Sequence, residues 1–407
     1  MLKQEVDTVI AERMVGLVNN NSVIREMFEE GKRLAGIYGA ENVFDFSLGN
    51  PSVPAPEELN QAVKDILDEE PSIFVHGYMS NAGYEDVRAT IADSLNRRFG
   101  TAFNQSNIIM TVGAAGGMNV IFKTILNPGD EVLTFSPYFV EYNSYVSNYD
   151  GKLVAIDPDT ETFQANIEDL ERKITPKTKA LIINNPNNPT GVVYSEETIR
   201  KVAAILDAKQ KEYGTEIFIV SDEPYRELAY DGVEVPYITK YYNNTIVGYS
   251  FSKSLSLPGE RIGYLVIPDE VDDAEQMKTA AAIATRVLGF VNAPSLMQRA
   301  VARCIDAKCD VDSYNRNREA LYNGLVKLGF ECIKPQGAFY LFVKSPVPDE
   351  KEFCNVAKKH NVLLVPGSSF KCAGYVRIAY CVSYDTIINS LPRFAEIAQE
   401  MGLNSNR

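Results

Sequence analysis

Histidine and cysteine, the residues that most often hold zinc, are scarce in this chain of 407 residues. The two histidines, His76 and His360, lie far apart in sequence, and no two cysteines form a C-x-x-C pair. A zinc cluster is therefore not expected, and so few cysteines in so long a chain fit a reducing compartment. The six cysteines all lie in the last quarter of the chain: Cys304, Cys309, Cys332, Cys354, Cys372 and Cys381.

Long apolar runs are also missing. No stretch of about 18 or more apolar residues occurs, so we expect no membrane span and no membrane partner. The N-terminal segment carries the charges of Glu5, Asp7, Glu12 and Arg13, which interrupt any apolar core of a signal peptide. A cytoplasmic protein is the prediction.

Basic residues are outnumbered by acidic ones. The chain has 40 Lys and Arg against 54 Asp and Glu, which gives a formal net charge of -14 at pH 7. Nucleic-acid-binding proteins present a basic surface to the phosphate backbone, and this surface would repel a polyanion. No nucleic-acid partner is expected.

Short β-rich runs alternate with helical patterns through the middle of the chain. Several of the runs are apolar on both faces, which is typical of parallel strands covered by helices. The alternation predicts an α/β domain in which helices sandwich a mostly parallel sheet. The helical patterns cover residues 85–99, 114–126 and 195–212, and the β-rich runs cover 108–112, 131–135, 180–184, 217–220, 245–249 and 262–266.

The pattern changes after about residue 295 and predicts a second, smaller α+β domain. Helical windows at 294–306 and 312–328 precede β-rich runs at 338–344, 362–365 and 375–382 and a terminal helix. The first 50 residues include a β-rich run at 43–48 and are too few to fold alone, so we expect them to pack against a domain. We predict an N-terminal arm with part of the small domain over 1–50, a large domain over 51–295 and a small domain over 296–407.

A lysine follows the β-rich run 245–249 directly, in the segment Ser250-Phe-Ser-Lys253-Ser-Leu-Ser-Leu-Pro-Gly-Glu-Arg261. A residue in this position lies at the C-terminal end of a strand, where α/β sheets bind ligands. This segment brings two hydroxyls, an amine and a guanidinium close together. Such a set suits an anionic ligand that also forms an imine with the amine. A polar surface loop is the alternative interpretation of this segment alone.

Two more polar positions follow apolar runs. Asp222 comes after the run 217–220 and could be a metal ligand, a helix cap or a partner for a ring nitrogen. The loop Asn184-Asn-Pro-Asn-Asn188-Pro-Thr-Gly191 has its backbone restricted by two prolines and a glycine. Asn188 therefore offers a donor and an acceptor at another strand end, unless the loop is an ordinary turn.

An anion site and a buried cation complete the candidates. Gly113-Ala114-Ala115-Gly116-Gly117 opens a helix, where small residues let backbone N–H groups approach a phosphate. Arg377 lies inside the strand-like run 375–380 and needs a partner there. A substrate carboxylate held by two hydrogen bonds and a structural salt bridge are equally acceptable partners.

Together these segments resemble, in order and spacing, the class I and II aminotransferases of the fold type I pyridoxal-phosphate enzymes. The most specific motifs of this resemblance are Asn-Pro-x-Asn-Pro-Thr-Gly at 185–191, Asp-x-x-Tyr at 222–225, and Ser-x-Ser-Lys followed eight residues later by arginine at 250–261. The resemblance covers nearly the whole chain, from Gly49 to Arg377. It implies an aspartate-aminotransferase-like fold, pyridoxal 5′-phosphate as cofactor in the large domain, and transfer of an amino group from an L-amino acid to a 2-oxo acid.

The resemblance also implies roles for the residues around the cofactor ring. Lys253 would carry the cofactor as an imine and, once freed, move the α-proton of the substrate. Asp222 would keep the pyridine nitrogen protonated, which makes the ring an electron sink. Tyr225 and Asn188 match the residues that hydrogen-bond the oxygen of the ring hydroxyl. Phe139 corresponds to the aromatic that stacks on the ring, with an ordinary core phenylalanine as the alternative.

The other implied contacts are with the phosphate and the substrate. Tyr78 resembles the tyrosine that reaches the phosphate of a neighbouring subunit, which implies a homodimer with shared active sites. Ser250, Ser252 and Arg261 match the phosphate cup, which the backbone N–H groups of Ala114 and Ala115 complete. Gly49, Asn188 and Arg377 are the implied substrate contacts, and Arg377 would grip the α-carboxylate.

The chain departs from the family where side-chain carboxylates are recognised. One aspartate-specific branch carries a lysine at the position of Ala115. In the other branch an interfacial arginine falls near Val287, and Arg286 is one residue away. The sequence therefore leaves the acceptance of dicarboxylates open.

Several other functions compete with aminotransfer. Carbon–sulfur β-lyases and decarboxylases of the same fold share this cofactor apparatus and stay open as alternatives. A nicotinamide dehydrogenase would need a Rossmann glycine fingerprint near the start, which is not found. A cofactor-bound transcriptional regulator would carry a basic DNA-binding domain first, and we expect none in the acidic residues 1–50.

Overall fold

The computed structural model describes residues 9–19 and 23–403, and in this part of the chain it contains fifteen α-helices and twelve β-strands. The helices are α1 (Glu12–Asn19), α2 (Val23–Tyr38), α3 (Glu57–Glu69), α4 (Ser72–His76), α5 (Glu85–Phe99), α6 (Gly113–Ile125), α7 (Tyr142–Ser147), α8 (Ile167–Lys173), α9 (Glu196–Tyr213), α10 (Phe251–Ser254), α11 (Ala274–Val287), α12 (Ser295–Arg303), α13 (Val311–Lys327), α14 (Glu350–Lys359) and α15 (Tyr384–Glu400). The strands are β1 (Phe44–Asp45), β2 (Ile108–Thr111), β3 (Glu131–Phe135), β4 (Lys152–Ile156), β5 (Thr178–Asn184), β6 (Phe218–Asp222), β7 (Thr245–Ser250), β8 (Gly263–Val266), β9 (Tyr340–Lys344), β10 (Val362–Leu363), β11 (Val365–Pro366) and β12 (Tyr375–Ala379).

Seven strands form the central sheet, in the order β2-β8-β7-β6-β5-β3-β4. Strand β8 is antiparallel to both of its neighbours, whereas the other pairs are parallel. The predicted mostly parallel α/β sheet is confirmed. Strands β2, β3, β5, β6 and β7 therefore run in the same direction, and their C-terminal ends meet at one edge.

Helices cover both faces of this sheet. Successive strand residues point to opposite faces, so Ile182 and Val220 pack in one apolar cluster while Leu181 and Ile219 pack in another. Apolar side chains of α6 and α11 fill the first cluster, and those of α9 fill the second. Burial on both faces explains why the strands are nearly continuous apolar runs.

Two smaller sheets lie in the rest of the chain. Strands β11, β12 and β9 form an antiparallel sheet, and β1 pairs in parallel with β10. Phe44 and Phe46 pack in the same apolar cluster as α13, α15 and β12. Residues 44–46 thus pack against the C-terminal part of the chain. The boundaries at residues 50 and 295 stay a prediction.

Several strands are shorter than the sequence predicts. The run 43–48 forms only the two-residue strand β1, since the carbonyls of Ser47, Leu48 and Gly49 accept hydrogen bonds from side chains instead of a ladder. The run 362–365 is divided between β10 and β11, which belong to different sheets. Strand β4 and helices α3 and α11 were not predicted.

Candidate active site

A cavity of about 300 Å³ opens at the C-terminal edge of the central sheet. Ligand sites of α/β sheets form at this edge because loops from several parallel strands converge there. The cavity brings together twelve of the residues proposed from the sequence: Gly49, Ala114, Ala115, Phe139, Asn188, Asp222, Tyr225, Ser250, Ser252, Lys253, Arg261 and Arg377.

Two proposed residues lie outside this cavity. Tyr78 follows α4 and is 92% exposed, so it does not serve the site of its own chain. The suggested role of Tyr78 toward a neighbouring subunit stays a prediction. Arg286, near the end of α11, is exposed and does not line the cavity.

Lys253 lies in the single turn of α10, which begins directly after β7. The Ser250 hydroxyl caps this turn by accepting a hydrogen bond from the backbone N–H of Ser252. The Lys253 ammonium donates to the carbonyl of Gly49 at 2.6 Å. Burial lowers the pKa of Lys253 to about 8, and the positive charges of Arg377 and Arg261 act in the same direction. The neutral, nucleophilic form of this amine is therefore more accessible near neutral pH than that of an exposed lysine.

Asp222 ends β6 and is buried. Its Oδ2 accepts hydrogen bonds from the Tyr142 hydroxyl at 2.5 Å and from the Asn184 amide at 3.5 Å. The other oxygen, Oδ1, is buried without a partner among the described residues. Burial raises the pKa of Asp222 to about 6, while the Tyr142 hydrogen bond opposes this shift. A protonated ring nitrogen would satisfy the free oxygen and stabilise the carboxylate.

An anion-binding corner forms where the N-terminus of α6 meets Arg261. Gly113, with φ of 76°, starts the helix, and a Cβ on it would lie 2.8 Å from Nη2 of Arg261. This close approach requires glycine and places the guanidinium against the free N–H groups of the helix. In the described part of the chain, Arg261 has no carboxylate partner and donates only to the Pro258 carbonyl. A phosphate fits this concentration of positive charge.

Arg377 is buried in β12 and makes no salt bridge with any described residue. Its Nη1 donates to Oδ1 of Asn188 at 3.1 Å and its Nη2 to the Ser47 carbonyl at 2.5 Å, while Nε has no partner. The rings of Tyr340 and Phe370 flank the guanidinium at 4.6 and 4.8 Å. The alternative of a structural salt bridge is therefore wrong for the described residues, and a buried unpaired cation calls for an anionic ligand.

Tyr225 and Asn188 form hydrogen bonds with residues for which the sequence predicted no role in the site. The Tyr225 hydroxyl lies 2.9 Å from the Tyr340 hydroxyl. Asn184 accepts from the backbone N–H of Asn188 at 2.7 Å and donates to the Asp222 carbonyl at 3.0 Å. Burial raises the pKa of Tyr225 well above its usual range, so its hydroxyl stays a hydrogen-bond donor.

The missed lining residues carried little signal in the sequence. Tyr142 begins the short helix α7, three residues after Phe139, which lies in the preceding loop, and both side chains line the cavity. Tyr340 reads as an ordinary core residue of a strand. Tyr145 and Met118 line the cavity as well. The described residues contain no cluster suited to a metal ion, and none of their helices is long and apolar enough to cross a membrane.

The fold and the site together define an enzyme of the aminotransferase type. The chain belongs to the family described as aminotransferase class I and II, whose model matches residues 41–391. It is similar to a probable N-acetyl-LL-diaminopimelate aminotransferase of Bacillus subtilis (strain 168), with 32% identity over 87% of this chain and 88% of the relative. The chain is an aminotransferase.

Solved structures agree with this assignment. An amino transferase from Eubacterium rectale is 47% identical, with a TM-score of 0.95 over 98% of this chain and all of that one. An aspartate aminotransferase from Thermus thermophilus, solved with maleate, is 28% identical with a TM-score of 0.84, over 96% of this chain and all of that one. The aspartate-aminotransferase fold predicted from the sequence is confirmed.

Proposed function

We propose that this aminotransferase uses pyridoxal 5′-phosphate, held covalently by Lys253, to move the amino group of an L-amino acid to a 2-oxo acid. The observation that carries this proposal is the partly buried Lys253 amine with its lowered pKa, which lines a cavity together with Asp222, Arg261 and Arg377, none of which forms a salt bridge with a described residue. Members of the class I and II family generally use this cofactor, which supports the same conclusion.

The cavity fits the cofactor at both of its charged ends. The unpartnered Oδ1 of Asp222 would hold the ring nitrogen, and Arg261 with the N-terminus of α6 and the hydroxyls of Ser250 and Ser252 would hold the phosphate. Phe139 and Tyr142 meet edge to face at 5.7 Å and form an aromatic wall between these ends. When bound, pyridoxal phosphate supplies an aldehyde that captures the substrate amine and a ring that accepts electrons as the α-proton leaves.

The chain's own residues would orient the substrate and move its proton. Arg377 is set to bind the α-carboxylate, because Nε is free and Nη1 and Nη2 are directed by Asn188 and Ser47. Lys253, once free of the aldehyde, would act as the base within the same cavity, and its lowered pKa makes its neutral form more accessible than that of an exposed lysine. The Gly49 carbonyl, 2.6 Å from Nζ in this structure, would anchor the amine between proton transfers.

The cavity of a single chain has no spare cation for a side-chain carboxylate. Among the described residues that line it, the cationic ones are Lys253, Arg261 and Arg377, and each already has a proposed role. Arg286 is exposed elsewhere and Ala115 carries no charge. This supports amino acids without a side-chain carboxylate as donors to be tried first, with pyruvate as acceptor. 2-Oxoglutarate, whose second carboxylate would need such a cation, is the contrasting acceptor.

The test of the covalent site is chemical labelling of Lys253. The purified protein with pyridoxal phosphate is expected to be yellow, and borohydride should lock the cofactor onto the chain. Mass spectrometry of peptides should then find the reduced cofactor on Lys253. As the control, Lys278 is more deeply buried than Lys253 but lies in ion pairs with Asp269 and Glu275, so it should remain unlabelled. A modified lysine elsewhere, or no chromophore, would contradict the proposal.

We further propose a homodimer in which Tyr78 completes the phosphate site of the other subunit. Ile73, Phe74 and Tyr78 are 79%, 62% and 92% exposed, an unusual amount of apolar surface for one short segment. The Asn292 amide, in the loop between α11 and α12, holds this segment by donating to the carbonyls of Met79 and Ser80 at 3.1 and 2.8 Å. A second copy related by a two-fold axis would bury this surface.

Tyr78→Phe tests the shared site. Loss of one hydrogen bond to a charged phosphate is expected to weaken cofactor binding by roughly tenfold to a hundredfold, measured by equilibrium dialysis. Tyr38→Phe changes another exposed tyrosine and should have no effect. Hybrid dimers of Tyr78→Phe and Lys253→Ala chains contain one site with both native residues, so mixing should restore tight binding. An active monomer in sedimentation would refute the arrangement.

A further inference from the structure

Tyr340 lines the cavity, although it has no proposed contact with the cofactor or the substrate. It is buried on β9, and its hydroxyl lies so close to Gly49 that a Cβ there would be 1.9 Å from the hydroxyl oxygen. Gly49 also provides the carbonyl that accepts from Lys253. Tyr340 therefore fills the space directly beside the Gly49 carbonyl that holds Lys253. Only glycine at position 49 leaves room for the Tyr340 hydroxyl.

Two contacts link Tyr340 to opposite ends of the site. Its hydroxyl is 2.9 Å from the hydroxyl of Tyr225, and the two rings meet edge to face at 5.7 Å and 80°. Its ring face carries the guanidinium of Arg377, 4.6 Å from the ring centre. One side chain thus contacts both the proposed partner of the ring oxygen and the proposed clamp of the substrate carboxylate.

The antiparallel pairing of β12 and β9 explains this placement. Arg377 pairs with Phe342, and Ala379 pairs with Tyr340. Arg377 and Tyr340 are therefore diagonal neighbours on one face of the small sheet, a spacing that long and aromatic side chains bridge. Tyr225 reaches the same hydroxyl from the loop after β6, so the contact joins the small sheet to the central sheet.

We infer that Tyr340 is a positioning residue, whose hydroxyl donates to Tyr225 and whose ring supports Arg377. The inference rests on the proposed function, because it assumes that Tyr225 donates to an acceptor bound in the cavity. A hydroxyl that donates can still accept, and accepting a hydrogen bond strengthens its own donation. The cation over the Tyr340 ring attracts electron density from it, which makes Tyr340 the better donor of the two.

Two substitutions separate the two contacts. Tyr340→Phe keeps the ring beneath Arg377 and removes the hydroxyl, whereas Tyr340→Leu removes both. The first readout is the pH midpoint of the visible absorbance of the bound cofactor, which reports how firmly the ring oxygen is held. The second is the inhibition constant of acetate, a carboxylate without an amine that probes Arg377 alone. Neither readout requires turnover to be fast.

Tyr340→Phe is expected to raise the pH midpoint by about half to one pH unit and to leave acetate inhibition unchanged within about twofold. The pH midpoint shifts upward because a weaker hydrogen bond from Tyr225 leaves more negative charge on the ring oxygen. This charge stabilises the proton on the Lys253 nitrogen, so a higher pH is needed to remove it. Tyr340→Leu should show the same shift and also weaken acetate inhibition by roughly fivefold. Tyr380→Phe, which removes another buried hydroxyl nearby, should change neither readout.

The outcomes distinguish this inference from the proposed function. A wild-type protein without a visible band would refute the proposed function itself. A wild-type band whose pH midpoint is the same in Tyr340→Phe, or shifts equally in Tyr380→Phe, would overturn the inference alone. Unchanged acetate inhibition in Tyr340→Leu would overturn the support of Arg377. Tyr340→Phe preserves the packing volume of the side chain, so this variant keeps the test decisive if the leucine variant does not fold.

Discussion

Asp222→Ala should reduce kcat by roughly a hundredfold to several thousandfold, since breaking a buried charged pair costs about 3–5 kcal/mol and each 1.4 kcal/mol is about tenfold in rate. The buried carboxylate has one oxygen without a partner, which we assign to the ring nitrogen of the cofactor. Without it, that nitrogen loses its proton and the ring accepts electrons less readily. Steady-state kinetics at saturating substrate and cofactor measures this loss.

Unlike kcat, the stability of the apoprotein should not decrease in Asp222→Ala. Burial raises the pKa of Asp222 to about 6, above its ordinary value of 3.8, so the folded state holds the proton more tightly than the unfolded chain. Its contribution to stability is present below pH 3.8 and is lost as the pH rises through 6. At pH 7.5 the alanine variant removes an unfavourable buried charge, and the melting temperature of the apoprotein should not fall.

Asp169→Ala is the matched control for a structural role. Asp169 is also buried, but it pairs with Arg172 and with Lys173 and accepts a hydrogen bond from the backbone N–H of Asp157 at 2.7 Å. This variant should melt at a lower temperature and keep a nearly normal kcat. Near wild-type turnover in Asp222→Ala would instead mean that the carboxylate is misassigned.

Arg377→Ala should lower kcat/KM for α-amino acids by roughly tens to thousands of times, since truncating one side of a buried, hydrogen-bonded charge pair costs about 2–5 kcal/mol. The guanidinium has no carboxylate partner among the described residues, so its proposed partner is the substrate. For an amine that lacks the α-carboxylate, the loss should be far smaller. Comparing kcat/KM for the two substrates measures the clamp directly.

Arg318→Ala supplies the contrast within the same chain. Arg318 is as deeply buried as Arg377, yet it forms salt bridges with Asp231 and Glu319 and donates to the Pro335 carbonyl at 2.7 Å. Its loss should lower the melting temperature and affect both substrates alike. If Arg377→Ala behaved in this way, with equal losses for both substrates, the assignment of Arg377 to the α-carboxylate would be wrong.

The sequence by itself determined six of the seven strands of the central sheet, all but β4, and the polar groups at strand ends. Lys253, Asp222 and Asn188 each follow a nearly continuous apolar run, a pattern that local side-chain chemistry imposes on strands buried on both faces. Since parallel strands share one C-terminal edge, these residues had to converge once the sheet formed. Their convergence in one cavity therefore needed no knowledge of distant contacts.

Only the tertiary structure decided which groups hold those residues in place. Tyr142 lies 80 positions from Asp222, and Tyr340 lies 115 positions from Tyr225, so no local pattern relates them. The carbonyls of Ser47 and Gly49, just beyond the two-residue strand β1, accept hydrogen bonds from Arg377 and Lys253, which lie more than 200 positions away. Buried polar groups must find partners wherever the fold brings them, and that requirement is non-local. The lack of a partner for Nε of Arg377 and for Oδ1 of Asp222 among the described residues, which argues for ligands, is likewise a property of the folded chain alone.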